Sequence, residues 1–263
     1  MLVLVEVADG VGTVTLNRPE ARNALSGALT RELEQAVTEL DGRDDVACIV
    51  LTGADPAFCA GVDLKALATD EGVNDPERLR QPLSHHGFLP PHEIPVIGAI
   101  NGATVTGGLE LALNCDFLIA SERARFADTH ARVGAMPGAG LTIRLPQVVG
   151  VDRARRMSFT GDFVDAQTAY DWGLVAEVVP HERLLQRARE IAAAVVSIPS
   201  DNIREIRRMY EEIGALSGRE AWDAEAAWSR RWMQRFDQAR LAGEREKIMA
   251  RGRAQSTGLD AST

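Results

Sequence analysis

Residues 95–113 constrain the fold of this chain more tightly than any other stretch. An apolar run of strand length, Pro95-Val96-Ile97-Gly98-Ala99-Ile100, enters Asn101-Gly102-Ala103-Thr104-Val105-Thr106-Gly107-Gly108-Leu109-Glu110-Leu111-Ala112-Leu113. A strand with no polar face, followed by turn signals and a mostly apolar helix, needs covering layers on both sides, as in α/β architectures. One carboxylate, Glu110, stands in that helix among Leu, Ala and Leu. Burying it charged is costly, and burial moves a carboxyl pKa toward working pH, which suits acid/base chemistry. The free N–H groups of a helix start can hold developing negative charge. An oxyanion donor and a carboxylate one helical turn apart suit chemistry beside a carbonyl. The same residues admit a purely structural reading: Asn-Gly and Gly-Gly are ordinary turn signals, and a Glu early in a helix can serve the dipole or cap backbone donors.

The rest of the chain repeats the strand–loop–helix order. Residues 2–7 and 11–16 read as a hairpin across Ala8-Asp9-Gly10. Ser26 is an N-cap candidate for a helix with Leu29, Leu33, Ala36, Val37 and Leu40 at helical spacing. Residues 47–52 and 115–120 read as buried strands, and 124–127 as a fourth core strand beside them. Residues 64–68 start a short helix, and 70–92 form a polar surface segment. Helices follow from about Thr142 and near Asp152, and Asp165 caps another that ends at Gly173. Residues 174–179 are the last strand. From Glu182 onward the pattern is helical, with breaks at Pro199-Ser200 and at 214–218. Trp228 and Trp232 share a face of the final helix, which more often packs against the body or a second subunit than binds a cofactor. Residues 1–190 are read as a core carrying the site, and 191–263 as a helical region frayed after 250. Ligand loops belong at the carboxyl ends of the strands.

Composition narrows the function classes. With 45 % hydrophobic and 25 % charged residues the 263-residue chain is globular rather than disordered. The formal charge is −9 and no basic block stands out, which argues against a nucleic-acid partner. Cys48, Cys59 and Cys115 are odd in number, widely spaced and set among small or apolar residues. No disulfide or zinc spacing appears, and core thiols fit a reducing compartment. No signal peptide or membrane span is legible, so a cytoplasmic location is expected.

A second segment, Ala54-Asp55-Pro56-Ala57-Phe58-Cys59-Ala60-Gly61-Val62-Asp63-Leu64-Lys65, follows a buried strand. Its small residues let a ligand approach the backbone closely; alone, it is equally a plain strand–helix connection. Together with the Gly107–Gly108 helix it resembles the crotonase superfamily, which includes enoyl-CoA hydratases and isomerases. Thr15-Leu16-Asn17-Arg18-Pro19 with Asn23-Ala24-Leu25 is similar to the family's N-terminal signature. Residues 57–65 and 100–116 resemble its two oxyanion loops and catalytic helix. Phe126, Pro137-Gly138-Ala139-Gly140, Thr160-Gly161, Ala166 and Trp172-Gly173-Leu174-Val175 continue the match. The resemblance covers about residues 1–190; the order and spacing of these motifs carry its specificity.

The resemblance implies a spiral of ββα units with a C-terminal helical trimerisation region, assembled as trimers or dimers of trimers. It implies acyl-CoA thioester ligands, with no metal or cofactor beyond the CoA of the substrate. The thioester oxygen would be held by the backbone N–H groups of Val62 and Gly107. Ala57, Phe58, Ala60, Gly61, Asp63, Leu64 and Gly108 would line the CoA and substrate path. Asp63 also reads as a cap of the following helix. Lys65 and Arg22 are candidates for the CoA phosphates, or solvated surface charges.

Family hydratases hold the attacking water between two glutamates. The first maps to Glu110; the second position is His130, in Ala127-Asp128-Thr129-His130-Ala131-Arg132. In the main reading Glu110 deprotonates water, and His130, a residue type that can donate or accept a proton, supplies the proton to the α-carbon of a trans-2-enoyl-CoA. In a second reading Glu110 works alone, as in an isomerase, hydrolase or decarboxylase. In a third the chain binds acyl-CoA without turnover. Asp128 would share a strand face with His130 if that stretch is extended; it would then orient the imidazole, or be a surface carboxylate. His85 and His86 are assigned no role.

Overall fold

The computed structural model describes residues 1–63, 87–235, 245 and 249–250. The hairpin forms as read: β1 (Val3–Ala8) and β2 (Val11–Leu16) pair antiparallel, Val3 opposite Leu16. Three further pairs of strands follow in chain order. They are β3 (Cys48–Gly53) with β4 (Ala57–Cys59), β5 (Val96–Ile100) with β6 (Ala103–Val105), and β7 (Phe117–Ser121) with β8 (Arg125–Ala127). The first member of each pair joins a six-stranded sheet, completed by β10 (Glu177–Val179), in the order β1-β2-β3-β5-β7-β10. The second member joins a smaller sheet, completed by β9 (Val164–Asp165), in the order β4-β6-β8-β9. The chain therefore climbs in successive turns, placing one strand in each sheet per turn. Residues 124–127, expected as a fourth core strand, lie in the smaller sheet: β8 pairs with β6 and β9.

The large sheet is covered on both faces, which is why its strands read as unbroken apolar runs. Along β3, Ile49 and Leu51 join one core cluster and Cys48 and Val50 the other. The first cluster includes Leu29, Leu33, Ala36, Val37 and Leu40 of α1 (Gly27–Asp41). This helix starts where expected, with Ser26 Oγ accepting the Leu29 N–H at 3.2 Å. The second cluster includes Leu184, Ala188 and Ala192.

Beyond β6 come α2 (Gly107–Leu113), α3 (His130–Val133), α4 (Leu141–Val149), α5 (Val151–Thr160) and α6 (Ala166–Asp171). Asp165 caps α6 through its Oδ1, 2.7 Å from the Thr168 N–H. Three longer helices close the described chain: α7 (Leu184–Val196), α8 (Ser200–Ile213) and α9 (Gly218–Met233). The chain divides into two compact units, Met1–Arg207 and Arg208–Thr263. The boundary read from the sequence, after residue 190, falls inside α7, a helix that packs on β2, β3, β5 and β7. The expected short helix at 64–68, and all of 70–92 before Gly87, lie outside the described residues.

Candidate active site

The first loop of the site leaves β4 at Cys59 and is pinned by the segment just before α1. Ala60 N–H donates to Arg22 O at 3.0 Å, Leu25 N–H to Gly61 O at 2.7 Å, and Asp63 N–H to Leu25 O at 2.9 Å. This pairing uses the groups on either side of Val62 and passes over its own N–H. Asn23 anchors the segment: its Oδ1 accepts the Arg18 N–H at 2.8 Å, and its Nδ2 donates to Ala54 O at 2.8 Å and Ala57 O at 2.7 Å. Arg18 Nη1 then reaches Asp63 Oδ2 at 2.6 Å. The N-terminal motif is thus a brace for the loop.

The second loop runs from β6 into α2. Thr106, its turning residue, has φ 55° and ψ −112°, a strained conformation for a β-branched side chain that costs about 1–3 kcal/mol. Three contacts hold it there. Its N–H donates to Ala127 O at 2.9 Å, its Oγ1 accepts the Thr129 N–H at 3.2 Å, and the two threonine hydroxyls meet at 2.5 Å. The loops lie backbone to backbone. A Cβ on Gly108 would stand 2.1 Å from Cys59 O, and one on Gly61, at φ +93°, would stand 3.3 Å from Gly107 N. Only glycine permits this approach. Among the described residues, the N–H groups of Val62 and Gly107 donate to no protein acceptor.

One turn beyond Gly107, Glu110 is buried at 3 % exposure. Its Oε1 accepts two backbone N–H groups, from Gly138 at 3.0 Å and Ala139 at 2.7 Å. These donors come from the Pro-Gly-Ala-Gly stretch, which arrives beside α2 because Asn114, just after the helix, donates to Ala139 O at 3.2 Å. With Oε1 occupied, Oε2 is the oxygen left for chemistry, and it lies 3.6 Å from His130 Nε2.

His130 is buried as well, and its ring is tied on the other side. Nδ1 lies 2.7 Å from Asp128 Oδ1, which also accepts the His130 backbone N–H at 3.1 Å. An ionised carboxylate only accepts, so Nδ1 carries the proton and Nε2 faces Glu110. Burial by itself pushes the Asp128 carboxyl upward. Hydrogen bonds from the His130 side chain, from Ser158 and from the His130 backbone, with the imidazolium charge, outweigh it and hold the group below the usual carboxylate range. The surface reading of Asp128 is therefore corrected: it is 1 % exposed. The shared strand face is corrected too. β8 ends at Ala127 and His130 opens α3; the two side chains meet because Asp128 folds onto the N–H two residues on, a local turn that replaces the strand.

The other candidates separate. Gly61, Val62, Gly107 and Gly108 form the facing loops. Ala57 and Phe58 lie in β4 with their side chains buried, Phe58 in the main core, so any ligand contact there is with backbone. Ala60 binds Arg22 O through its N–H, and Asp63 pairs with Arg18. Arg22 is exposed, at the left-handed turn before Asn23. Leu64, Lys65, His85 and His86 lie outside the described residues. Sequence reading left Arg18, Asn23 and Asn114 without structural roles. Arg18 and Asn23 sat in a quoted motif; nothing local marked Asn114, whose partner is 25 residues away.

Residues 6–239 match the family model described as enoyl-CoA hydratase/isomerase. A probable peroxisomal enoyl-CoA hydratase of Arabidopsis thaliana is 37 % identical over 207 residues, 78 % of this chain and 76 % of that protein. Among solved structures, an enoyl-CoA hydratase from Mycobacterium avium is 48 % identical, with TM-score 0.74 over 88 % of this chain and 96 % of that one. One from Bacillus anthracis is 34 % identical, with TM-score 0.83 over 95 % and 97 %. Motifs, spiral fold, paired loops and these likenesses agree, and the chain belongs to the enoyl-CoA hydratase/isomerase family.

Proposed function

We propose that this protein adds water reversibly across the double bond of a trans-2-enoyl-CoA, with Glu110 and His130 as its acid/base pair. The observation that carries this reading is the convergence of two free backbone donors and two buried proton-transfer groups on one place. The thioester oxygen would accept from Val62 N–H and Gly107 N–H, each worth on the order of 3 kcal/mol to the enolate. A water held by Glu110 Oε2 and His130 Nε2 would give one proton to Glu110 as its oxygen bonds the β-carbon. The π pair moves onto the α-carbon and the thioester oxygen, and the α-carbon takes a proton from His130 Nε2. Transfer of the Glu110 proton to His130 across the 3.6 Å gap restores both groups. The sum is one water added.

CoA enters as part of the substrate, and this scheme needs proton transfer alone. A buried imidazole facing Glu110 Oε2 favours a two-group reaction over a one-base isomerase or hydrolase, because it supplies a second proton-transfer group. The backbone of residues 57–63 and Gly108 would carry the pantetheine arm. We place the working form as a trimer or dimer of trimers in the cytoplasm; among the described residues no helix is long and apolar enough to cross a membrane.

The test is loss of the conjugated enoyl-thioester absorbance with crotonyl-CoA and a medium-chain trans-2-enoyl-CoA. Wild type should turn over, and Glu110→Gln and His130→Ala should each lose on the order of 100-fold or more. Full activity in Glu110→Gln sinks the assignment. Tight acyl-CoA binding by wild type without turnover moves the protein to the binding class.

A further inference from the structure

Asp128 is a buried carboxylate in contact with a catalytic side chain that the hydration scheme leaves without a task. It sits behind His130, away from Glu110, with Oδ1 receiving both N–H groups of the same histidine, ring and backbone. Hydrogen bonding with Ser158, on α5, also holds its carboxyl down. Glu110 from α2 and Asp128 from the turn before α3 are the carboxyl groups paired with the ring among the described residues. Arg132 of α3 turns instead to Thr160 O and Asp162.

We propose that Asp128 is the positioning residue of this site, fixing His130 with Nδ1 protonated and turned inward so that Nε2 is the atom offered to Glu110 and to the reacting water. The physical argument is one of alternatives. An imidazole with one buried polar edge must satisfy it, and a carboxylate at 2.7 Å accepts only if Nδ1 is the donor. The other tautomer would set a bare nitrogen lone pair against the carboxylate, and the flipped ring would present Cδ2–H there, leaving Asp128 without its ring donor. The charge of Asp128 also favours the imidazolium, which is the form that can release a proton from Nε2. Asp128, His130 and Glu110 form a relay in which only the last two touch the reacting atoms.

The catalytic part of this inference rests on the hydratase reading; the orientation of the ring does not, so the experiment has two arms. In the first, histidine is labelled with 15N in wild type and in Asp128→Asn, and the signal lost in His130→Gln identifies His130 among the five histidines. The expected wild-type ring shows one tautomer, with the proton on Nδ1, and in Asp128→Asn that signature gives way to a mixture of both tautomers. In the second arm, Asp128→Asn lowers kcat on the order of 100-fold with KM within about threefold. A packing role alone would leave the tautomer signature in place.

A tautomer signature and a kcat both coincident with wild type overturn the proposal. A wild type that binds crotonyl-CoA without hydrating it overturns the hydratase reading, while the first arm still decides the ring. Should Asp128→Asn fail to fold, the wild-type ring alone still decides: a proton on Nε2 in place of Nδ1 overturns the proposal.

Discussion

At the residue scale, the site depends on which atoms are already satisfied. Two backbone donors fill Glu110 Oε1, so one carboxylate oxygen is structural and the other free to react. Asp128 has a measurable stability signature. Its hydrogen bonds hold the carboxyl below the usual carboxylate range in the folded protein, so it stabilises the fold at neutral pH, and that contribution is lost as pH falls through its folded pKa. Asp128→Ala should cost about 1–3 kcal/mol at pH 7, the penalty for leaving buried donors unpaired. Denaturant midpoints of both proteins should converge as pH falls below the usual carboxylate range; a difference that keeps its size in acid contradicts this account. The thiols make a second case. Burial pushes Cys48 and Cys59 up to about 12 and raises Cys115 further. Native protein should therefore leave a thiol reagent unreacted at pH 8, with all three cysteines titrating after denaturation. Rapid native labelling would show that these side chains are reachable.

At the element scale, the deciding contact is between two loops. The chain needs Cys59 O almost against Gly108, and only the absence of a side chain allows it. Gly108→Ala should keep the circular dichroism of the fold but lower turnover on the order of 100-fold, because separating the loops misplaces a donor worth about 3 kcal/mol. Wild-type turnover in this variant would mean that the loops adjust freely. Local signals found the elements well: Ser26 and Asp165 cap the helices they were read to cap, and the apolar runs became the strands of the large sheet. They could not separate the sheets. β8 carries the same β-strand signal as its neighbours, and only its partners, β6 and β9, place it in the smaller one.

At the scale of the whole molecule, the C-terminal helices carry exposed aromatic side chains. In α8 and α9 no side chain is buried; Tyr210 is 80 % and Trp222 76 % exposed. The proposed assembly gives such side chains a partner. Light scattering of the full chain at micromolar concentration should give three or six times its 28.5 kDa mass; a monomer contradicts the proposed assembly.

The sequence by itself determined the hairpin, the strands of the large sheet, the longer helices and their order, though not β4, β6, β9 or α3. What it determined rests on short-range causes: hydrophobic periodicity, caps and glycines that admit close backbone approach. The family resemblance of its motifs also put Glu110 and His130 forward as a pair. What only the tertiary structure decided is how that pair is held. Gly138 and Ala139 meet Glu110 across 28 and 29 residues, and Arg18 meets Asp63 across 45. The periodicity of a sequence says which face of an element is buried; it does not say which polar atoms will meet there. The pairing of buried polar groups is settled by the folded chain as a whole, because each must find a partner wherever packing has placed one.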